Sequence, residues 1–294
     1  MSSPDAHAAD SVDVSDRSRL LSERYDVQAS AYRLHWEDAI RTHSTRLLDQ
    51  MQLAGAARVL DLACGTGSLA DELHARAPAA AIIGADRSLG MIQLAPHPLR
   101  VVADGHQLPL PSGAFDVAVL AFALFHLLDR SSGLREIRRC LKPGGHLGLT
   151  TWGTPDGRFP PRAVWEEELE RQGAPGPDDL PVLSDYTGID TPDGLQQVLT
   201  DAGFSDLTVW TGSLALVNSG EDYLARVTSM GADSRRFAAL PADRQNEALR
   251  RARARLAEPD DAFTDESEVL YAIASSRAPD SSASRNRLRS NPPP

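Results

Sequence analysis

The distribution of apolar and polar positions predicts that short strands and helices alternate through the middle of the chain. Short, mainly apolar runs end at a polar residue or a glycine, and stretches with the apolar spacing of a helix follow them. The predicted strands are residues 58–63, 81–85, 100–103, 115–121 and 146–152. The predicted helices are residues 68–76, 88–94 and 131–141, the last ending at a Lys-Pro-Gly-Gly turn. This alternation predicts an open α/β fold with a mostly parallel sheet and helices on both faces.

The segments on either side of this core have other patterns. Residues 1–15 and 276–294 are small and polar, and we expect them to be disordered tails. Residues 16–52 have helical spacing and form a predicted N-terminal helical cap. Residues 153–192 are rich in proline and glycine, and we expect a lid region there that contains one helix, at 163–172. The remaining predicted elements are helices at 191–202, 220–230 and 241–256 and strands at 207–217 and 268–274. We therefore expect a single domain over residues 16–275.

The segment VLDLACGTGSLA, residues 59–70, carries the clearest signal for a ligand site. A buried strand runs into a bend that contains Gly65 and Gly67, and a helix follows. Glycines in such a bend allow a tight turn and a close approach of ligand to backbone, and the helix directs free N–H groups at the ligand. The segment predicts a site for a nucleoside-bearing cofactor.

Three acids at strand ends strengthen that prediction. Asp61 ends the first strand, Asp86 follows the second, and Asp104 follows the third. Asp86 could accept hydrogen bonds from both hydroxyls of a ribose, and Asp104 could accept one from an adenine amino group. We expect all three carboxylates to line the carboxyl edge of the sheet.

Four segments carry a family resemblance: VLDLACGTG (59–67), IIGADRSLGMIQLA (82–95), VVADGHQLPLPSGAFDVAVLAFALFHL (101–127) and LKPGGHLGLTTW (141–152). In this order and at this spacing, they resemble class I S-adenosylmethionine-dependent methyltransferases, specifically the small-molecule subgroup of ubiquinone/menaquinone-biosynthesis methyltransferases. The resemblance covers roughly residues 58–152. It implies a Rossmann-like sheet of seven strands that closes with an antiparallel hairpin, S-adenosyl-L-methionine as cofactor and S-adenosyl-L-homocysteine as product.

The resemblance also implies a set of cofactor-binding residues. The glycine bend would wrap the methionine part, Asp86 would hold the ribose, and Arg87 and Met91 would flank the adenine. Asp104 and Gly105 would bind the adenine edge, and the backbone at the end of the fourth strand would meet the cofactor's amino group. The full set is Tyr25, Asp61, Ala63, Cys64, Gly65, Gly67, Asp86, Arg87, Met91, Asp104, Gly105 and Ala121.

On the acceptor side, His126 is the candidate general base, because it follows the fourth strand beside the expected position of the methyl group. The alternative is a histidine that faces solvent or packs under the lid. The predicted substrate pocket contains Tyr32, Trp36, Phe125 and Trp152, and Phe122, Phe159, Trp165 and Tyr186 are further candidates. An aromatic pocket favours O-methylation of a small apolar or aromatic metabolite, with carbon or nitrogen still open.

Two other functions use the same glycine bend: a nicotinamide-dependent oxidoreductase, and a cofactor-binding protein that has lost catalysis.

Composition narrows the choice of partners. The chain has 30 basic and 41 acidic residues, a net charge of −11, which disfavours nucleic acid. It has two cysteines, no apolar run that could span a membrane, and no His/Cys cluster with metal-ligand spacing. We expect a cytoplasmic, metal-free monomer or homodimer.

Overall fold

An eight-stranded β-sheet forms the centre of the protein. The computed structural model describes residues 14–154, 159–257, 263–276 and 287–288. The strands are β1 (Arg58–Leu62), β2 (Ala81–Asp86), β3 (Leu99–Val102), β4 (Phe115–Ala121), β5 (Leu141–Trp152), β6 (Ser205–Asn218), β7 (Phe263–Ser275) and β8 (Arg287–Leu288). Their spatial order is β3-β2-β1-β4-β5-β7-β6-β8. Strands β1 to β5 are parallel, β7 is antiparallel to both β5 and β6, and β8 is parallel to β6.

Helices cover the sheet and close its carboxyl edge. They are α1 (Val14–His35), α2 (Glu37–Gln50), α3 (Ala70–Arg76), α4 (Leu89–Leu94), α5 (Arg130–Cys140), α6 (Pro160–Arg171), α7 (Pro192–Asp201), α8 (Gly220–Ser229), α9 (Gly231–Ala238) and α10 (Ala242–Leu256). Within the described residues, no helix is long and apolar enough to cross a membrane.

The register of the central strands fixes which residues leave the sheet side by side. Leu62 of β1 lies opposite Ala85 of β2 and Leu120 of β4. The next residues along these strands, Ala63, Asp86 and Ala121, are therefore neighbours at the carboxyl edge. In open α/β sheets this edge is where ligands bind.

Helix α1 lies against α4 and brings N-terminal residues to this edge. The carboxylate oxygen Oδ1 of Asp26 accepts hydrogen bonds from the Ser88 hydroxyl at 2.6 Å and the Gly90 N–H at 2.8 Å. A Cβ atom at Gly90 would lie 2.5 Å from the carbonyl oxygen of Asp26, so this approach requires a glycine. Asp26 thus anchors α1 to the N-terminus of α4.

A second apolar core lies outside the main one and joins α6, α8 and α10. It contains Trp165, Tyr223 and Leu224, with Phe159 at its border. The buried carboxylate of Glu168 on α6 pairs there with Arg251 and Arg255 of α10. Helix α8 of this core packs against α1 and α9, which both border the carboxyl edge.

The seven predicted strands are confirmed, and β4 has the predicted bounds. This strand is buried on both faces, so its apolar run marks both of its ends. The other strands and helices differ from the predictions by a few residues at their ends. The helical cap is also confirmed, although it breaks at Trp36 into α1 and α2. The Lys-Pro-Gly-Gly segment ends α5 as predicted, although its residues are counted within β5: pairing with β4 passes from Leu141 to His146, and Gly144 between them has a φ of 80°.

Three local predictions were wrong. Ser68 does not cap α3, whose first turn follows Leu69 without a side-chain cap. Helix α9 was not predicted, because the glycine that begins it reads as a helix end. Strand β8 and the buried Ser276 lie within the predicted C-terminal tail, and α1 begins at Val14, within the predicted N-terminal tail. The rest of the two tails, residues 1–13, 277–286 and 289–294, lies outside the described residues.

Candidate active site

A cavity of about 500 Å³ opens at the carboxyl edge of β1, β2 and β4. Helix α1, the start of α9 and the segment 177–186 enclose it. Of the predicted site residues, those that line it are Tyr25, Tyr32, Trp36, Ala63, Gly65, Asp86, Arg87, Met91, Gly105, Ala121, Phe125, His126 and Trp152. The predicted residues that do not line it are Asp61, Cys64, Gly67 and Asp104.

Backbone in the left-handed region marks two strand ends at this cavity. Ala63, after β1, has a φ of 53°, and Phe122, after β4, has a φ of 50°. Both are non-glycine residues, for which this conformation is uncommon and costs free energy. The Phe122 N–H donates to both the carbonyl oxygen and the hydroxyl oxygen of Thr150, at 2.9 and 3.1 Å, which holds the turn in place. Such backbone strain at a cavity wall is typical of a ligand site.

The two glycines of the bend serve different purposes. Gly65 has a φ of 56° and lines the cavity. Gly67 has a φ of 83° and faces away from it, and a Cβ atom there would overlap the ring of Pro96. Gly67 therefore permits close packing of the loop against the segment that follows α4, which is a structural role.

Asp86 is the acid that the structure places at the cavity wall. Its carboxylate accepts hydrogen bonds from the N–H groups of Gly65 and Ser88, both at 2.9 Å. Burial raises the pKa of Asp86, so the fold pays a cost to keep this group ionised. A carboxylate has about four acceptor positions, which leaves room for two ligand hydroxyls. The position and chemistry of Asp86 fit a ribose.

Asp61 and Asp104, which we also predicted to bind the cofactor, do not line the cavity, and each is bonded to another side chain. Asp61 is buried and its Oδ2 lies 3.0 Å from Nε2 of His97, which is also buried. Asp104 binds Arg87 and His106. Although burial raises the pKa of Asp104, the hydrogen bonds from His106 and the charge of Arg87 outweigh it and lower that pKa to about 2.

Cys64 also has its side chain outside the cavity. Burial raises the pKa of its thiol, so this group stays protonated, and Sγ lies 3.7 Å from the carbonyl oxygen of Gly65. Any contact of Cys64 with a cofactor would have to come from its backbone.

Arg87, in contrast, lines the cavity: its Nη2 lies 3.3 Å from Asp104, and its buried Nη1 has no hydrogen-bond partner among the described residues.

Aromatic side chains form the other half of the cavity wall. Tyr186, from the segment that follows α6, stacks on Phe125 with ring centroids 4.7 Å apart. Phe122 and Trp152 lie 4.6 Å apart, and Trp36 contacts Trp152 edge to face. This wall suits a flat apolar ring. Phe159 and Trp165, which were also candidates for the pocket, belong to the second core instead.

His126 lies within this aromatic half. Its Nε2 is 2.8 Å from the Tyr25 hydroxyl, and its Nδ1 is 3.3 Å from the carbonyl oxygen of Leu183 and 3.1 Å from the Ser184 hydroxyl. A carbonyl oxygen can only accept, so we assign the proton to Nδ1 and infer that Nε2 accepts from Tyr25. Burial lowers the pKa of His126 to about 3, and the charges of Arg24 and Arg87 contribute. The ring is therefore neutral.

The sequence did not reveal several wall residues. They include Arg24 of α1, Arg235 of α9 and, in segment 177–186, Pro177, Leu180, Pro181, Val182, Leu183 and Ser184. The two arginines lie far apart in sequence and reach one cavity through tertiary packing. No local spacing could have identified them.

The comparisons with known proteins agree with this geometry. The family described as "Methyltransferase domain" matches residues 60–149. A demethylmenaquinone methyltransferase of Corynebacterium urealyticum is 36% identical over 138 residues, which are 46% of this chain and 57% of that protein. A ubiquinone/menaquinone biosynthesis C-methyltransferase of Geotalea uraniireducens is 31% identical over 157 residues, an alignment that covers 48% of this chain and 67% of that protein. The chain belongs to the class I S-adenosylmethionine-dependent methyltransferases.

The chain spans about half the length of the curated relatives it matches. Among solved structures, the YcgJ protein of Bacillus subtilis aligns with a TM-score of 0.53 and 18% identity, covering 81% of this chain and 100% of that one. At this identity the likeness supports the fold alone. Family membership overturns the nicotinamide alternative.

The residues at the cavity fit the family's cofactor. Asp86 offers acceptor positions for ribose hydroxyls, Gly65 allows a close backbone approach, and Arg87 and Met91 stand beside them. The described residues contain no group of three or more His, Cys, Asp or Glu side chains that could hold a metal ion.

Proposed function

We propose that this protein transfers the methyl group of S-adenosylmethionine to a hydroxyl group on a small, apolar, ring-bearing acceptor. The observation that carries the proposal is the hydrogen bond between Tyr25 and His126, in an aromatic cavity that continues to Asp86 and Gly65. One cavity thus holds both the residues suited to the cofactor and a neutral imidazole beside a phenol.

The cofactor, when bound, supplies an activated methyl group on a sulfonium. The residues that would hold it are Asp86 for the ribose, Arg87 and Met91 beside the adenine, and the backbone of Ala63, Gly65 and Ala121 for the methionine part. Because the donor is already activated, the tasks of the protein are to orient the acceptor and to exclude water. The aromatic wall of Phe125, Trp152 and Tyr186 serves both tasks.

His126 would orient the acceptor through the lone pair of Nε2. With Nδ1 donating to Leu183, Nε2 can only accept, and the Tyr25 hydroxyl lies 2.8 Å from it. An acceptor hydroxyl that replaces the Tyr25 hydroxyl would meet the same lone pair. A hydroxyl becomes strongly acidic as its oxygen gains a methyl group, so a neutral imidazole at this position is ready to take the proton.

A second candidate is methylation at a ring carbon beside such a hydroxyl. The similarity to relatives named demethylmenaquinone methyltransferase and C-methyltransferase favours it. The role of His126 would be the same, because electron density released from the hydroxyl would activate the ring carbon. The two candidates differ only in which acceptor atom faces the methyl group.

A labelled-methyl assay tests the proposal. Purified protein is incubated with S-adenosylmethionine carrying a ¹³C methyl group and with 2-naphthol, 1,4-naphthalenediol or 3-hydroxy-2-naphthoate, and the product is analysed by mass spectrometry and NMR. A methyl ether supports the first candidate, and a ring methyl group supports the second. Absence of product from every phenol, while S-adenosylhomocysteine still binds, would instead support a cofactor-binding protein without catalysis.

A further inference from the structure

We propose that the acceptor carries a carboxylate, and that Arg24 and Arg235 bind it. The inference rests on the proposed function, because it names the class of acceptor for the same cavity. It depends on two observations: both arginines line the cavity, and neither is paired with a carboxylate among the described residues.

Arg24 and Arg235 reach the cavity wall from two different helices. Arg24 is on α1 and Arg235 is on α9, and both line the cavity. Gln28 connects their neighbourhoods: its Oε1 accepts from Arg24 Nε at 3.1 Å, and its Nε2 donates to the hydroxyl of Ser234 at 3.4 Å. The side chain that follows Ser234 in sequence is Arg235. Both arginines therefore reach the cavity from the part of the wall where Gln28 joins α1 to α9.

Within the described residues, neither cation has a carboxylate partner. Arg235 donates from Nη1 to the carbonyl oxygen of Pro181 at 2.8 Å, and its Nε is buried without a hydrogen-bond partner. Arg24 donates to an uncharged amide. Other partly buried arginines of the protein do have acid partners, for example Arg87 with Asp104 and Arg130 with Asp185. Among the described residues Arg138 also has a buried Nε without a partner and no acid partner, but it does not line the cavity, whereas Arg24 and Arg235 share one cavity wall and neither is paired with an acid.

The charges at the cavity wall are out of balance. Among the described lining residues there are three arginines and one acid, Asp86. Arg87 is already paired with Asp104, and Asp86 is bonded to the backbone of the glycine bend. Burial and the charge of Arg24 both lower the pKa of Arg235, which reflects the cost of this arrangement. Bound S-adenosylmethionine would add a further net positive charge, because its sulfonium and ammonium groups outweigh its one carboxylate.

A carboxylate on the acceptor would remove this cost. Guanidinium groups bind carboxylates through paired N–H donors, and they do so most strongly where water is excluded. The bound anion would also offset the charge of Arg24, which contributes to the low pKa of His126. Recognition of the acid would therefore make His126 a better proton acceptor when the correct substrate is present.

Two probes that differ in one group test the proposal: 3-hydroxy-2-naphthoate and 2-naphthol share the ring and the hydroxyl, and only the first has a carboxylate. Each is titrated by calorimetry into protein saturated with S-adenosylhomocysteine. The variants are Arg24→Gln, Arg235→Gln and the double variant. Arg250→Gln is the control, because Arg250 is exposed on α10 and pairs with Glu247.

We expect the wild-type protein to bind the carboxylate at least tenfold more tightly than 2-naphthol. Each cavity variant should lose about tenfold in affinity for the carboxylate and less than twofold for 2-naphthol, and Arg250→Gln should change neither. Arg235→Lys should retain part of the preference, since it keeps a charge. Unchanged affinity for S-adenosylhomocysteine shows that each variant is folded.

Equal or weaker binding of the carboxylate by the wild-type protein would overturn the proposal, as would equal losses for both probes in the variants. This failure is distinct from failure of the proposed function. Methyl transfer to 2-naphthol without preference for the acid would refute the carboxylate site and leave the reaction standing. Absence of transfer to either probe, with the charge preference intact, would refute the reaction alone.

Discussion

Replacing Asp86 by asparagine should separate cofactor binding from loop stability. The carboxylate accepts from the N–H groups of Gly65 and Ser88, and its remaining acceptor positions face the cavity. An asparagine has one oxygen, so it can keep one of these backbone bonds and loses charged acceptors for the ligand. A hydrogen bond to a charged group contributes about 1.5–3 kcal/mol. Loss of about 2 kcal/mol corresponds to roughly 30-fold weaker binding of S-adenosylhomocysteine.

Asp116 supplies a matched control at the opposite edge of the sheet. Its carboxylate also accepts from two backbone N–H groups, those of Ala57 and Arg58, at 3.0 and 2.9 Å. Its side chain also pairs with Lys142, and it does not line the cavity. Asp116→Asn should therefore lower the free energy of unfolding by about 1–2 kcal/mol and leave the affinity for S-adenosylhomocysteine unchanged within twofold.

Calorimetric titration with S-adenosylhomocysteine and urea unfolding, applied to both variants, give the comparison. Only Asp86→Asn should show the roughly 30-fold loss of affinity. If Asp86→Asn binds S-adenosylhomocysteine as tightly as the wild-type protein, the assignment of Asp86 to the ribose is wrong. If both variants lose the same affinity, the effect of Asp86 comes from general destabilisation of the sheet edge.

Three further predictions concern His126 and the glycine bend. His126→Asn should reduce methyl transfer by about 10²-fold or more with unchanged affinity for S-adenosylhomocysteine, whereas wild-type turnover would remove His126 from the mechanism. The unfolded chain binds a proton at His126 below about pH 6.5, but the folded protein does so only near pH 3. The free energy of unfolding should therefore decrease as the pH drops through this interval. In urea unfolding, His126→Asn should show a smaller decrease over the same interval. Gly67→Ala should lower the free energy of unfolding by about 2–4 kcal/mol, because the added Cβ meets Pro96. Gly55 has a similar φ of 86° with open space around it, so Gly55→Ala should lower it by only about 1 kcal/mol. Equal losses for the two variants would contradict the packing argument.

The sequence predicts the parts of the site that depend on strand order and on backbone shape. The apolar run of β4 predicts its own bounds, and the bend with Gly65 lies where the spacing places it. Asp86 is also in the predicted position, because it ends a parallel strand directly beside β1. These features follow from local pattern and from the rule that ligands bind at the carboxyl edge.

The sequence next to a strand end does not set which partner its side chain meets, and this is why the contacts of Asp61 and Asp104 could not be predicted. Asp61 meets His97, which lies 36 residues further along the chain. A Cβ atom at Gly84, the neighbour of Asp61 on β2, would lie 2.5 Å from the His97 ring, so this glycine makes room for the pair. A polar residue at a strand end can thus bond to another side chain of the protein instead of to a ligand. Which of the two it does depends on whether the fold places a partner beside it.

The acceptor half of the cavity is the least predictable part, since its wall comes from segments with no fixed order in the family pattern. Tyr25 and Arg24 come from α1, His126 follows β4, and Arg235 lies on α9 more than a hundred residues later. The effect of Arg24 on the pKa of His126 depends on the distance between them, which only the folded chain sets. A change of charge on α1 would therefore alter the basicity of His126, so in the proposed reaction selection of the acceptor and activation of its hydroxyl would be physically coupled.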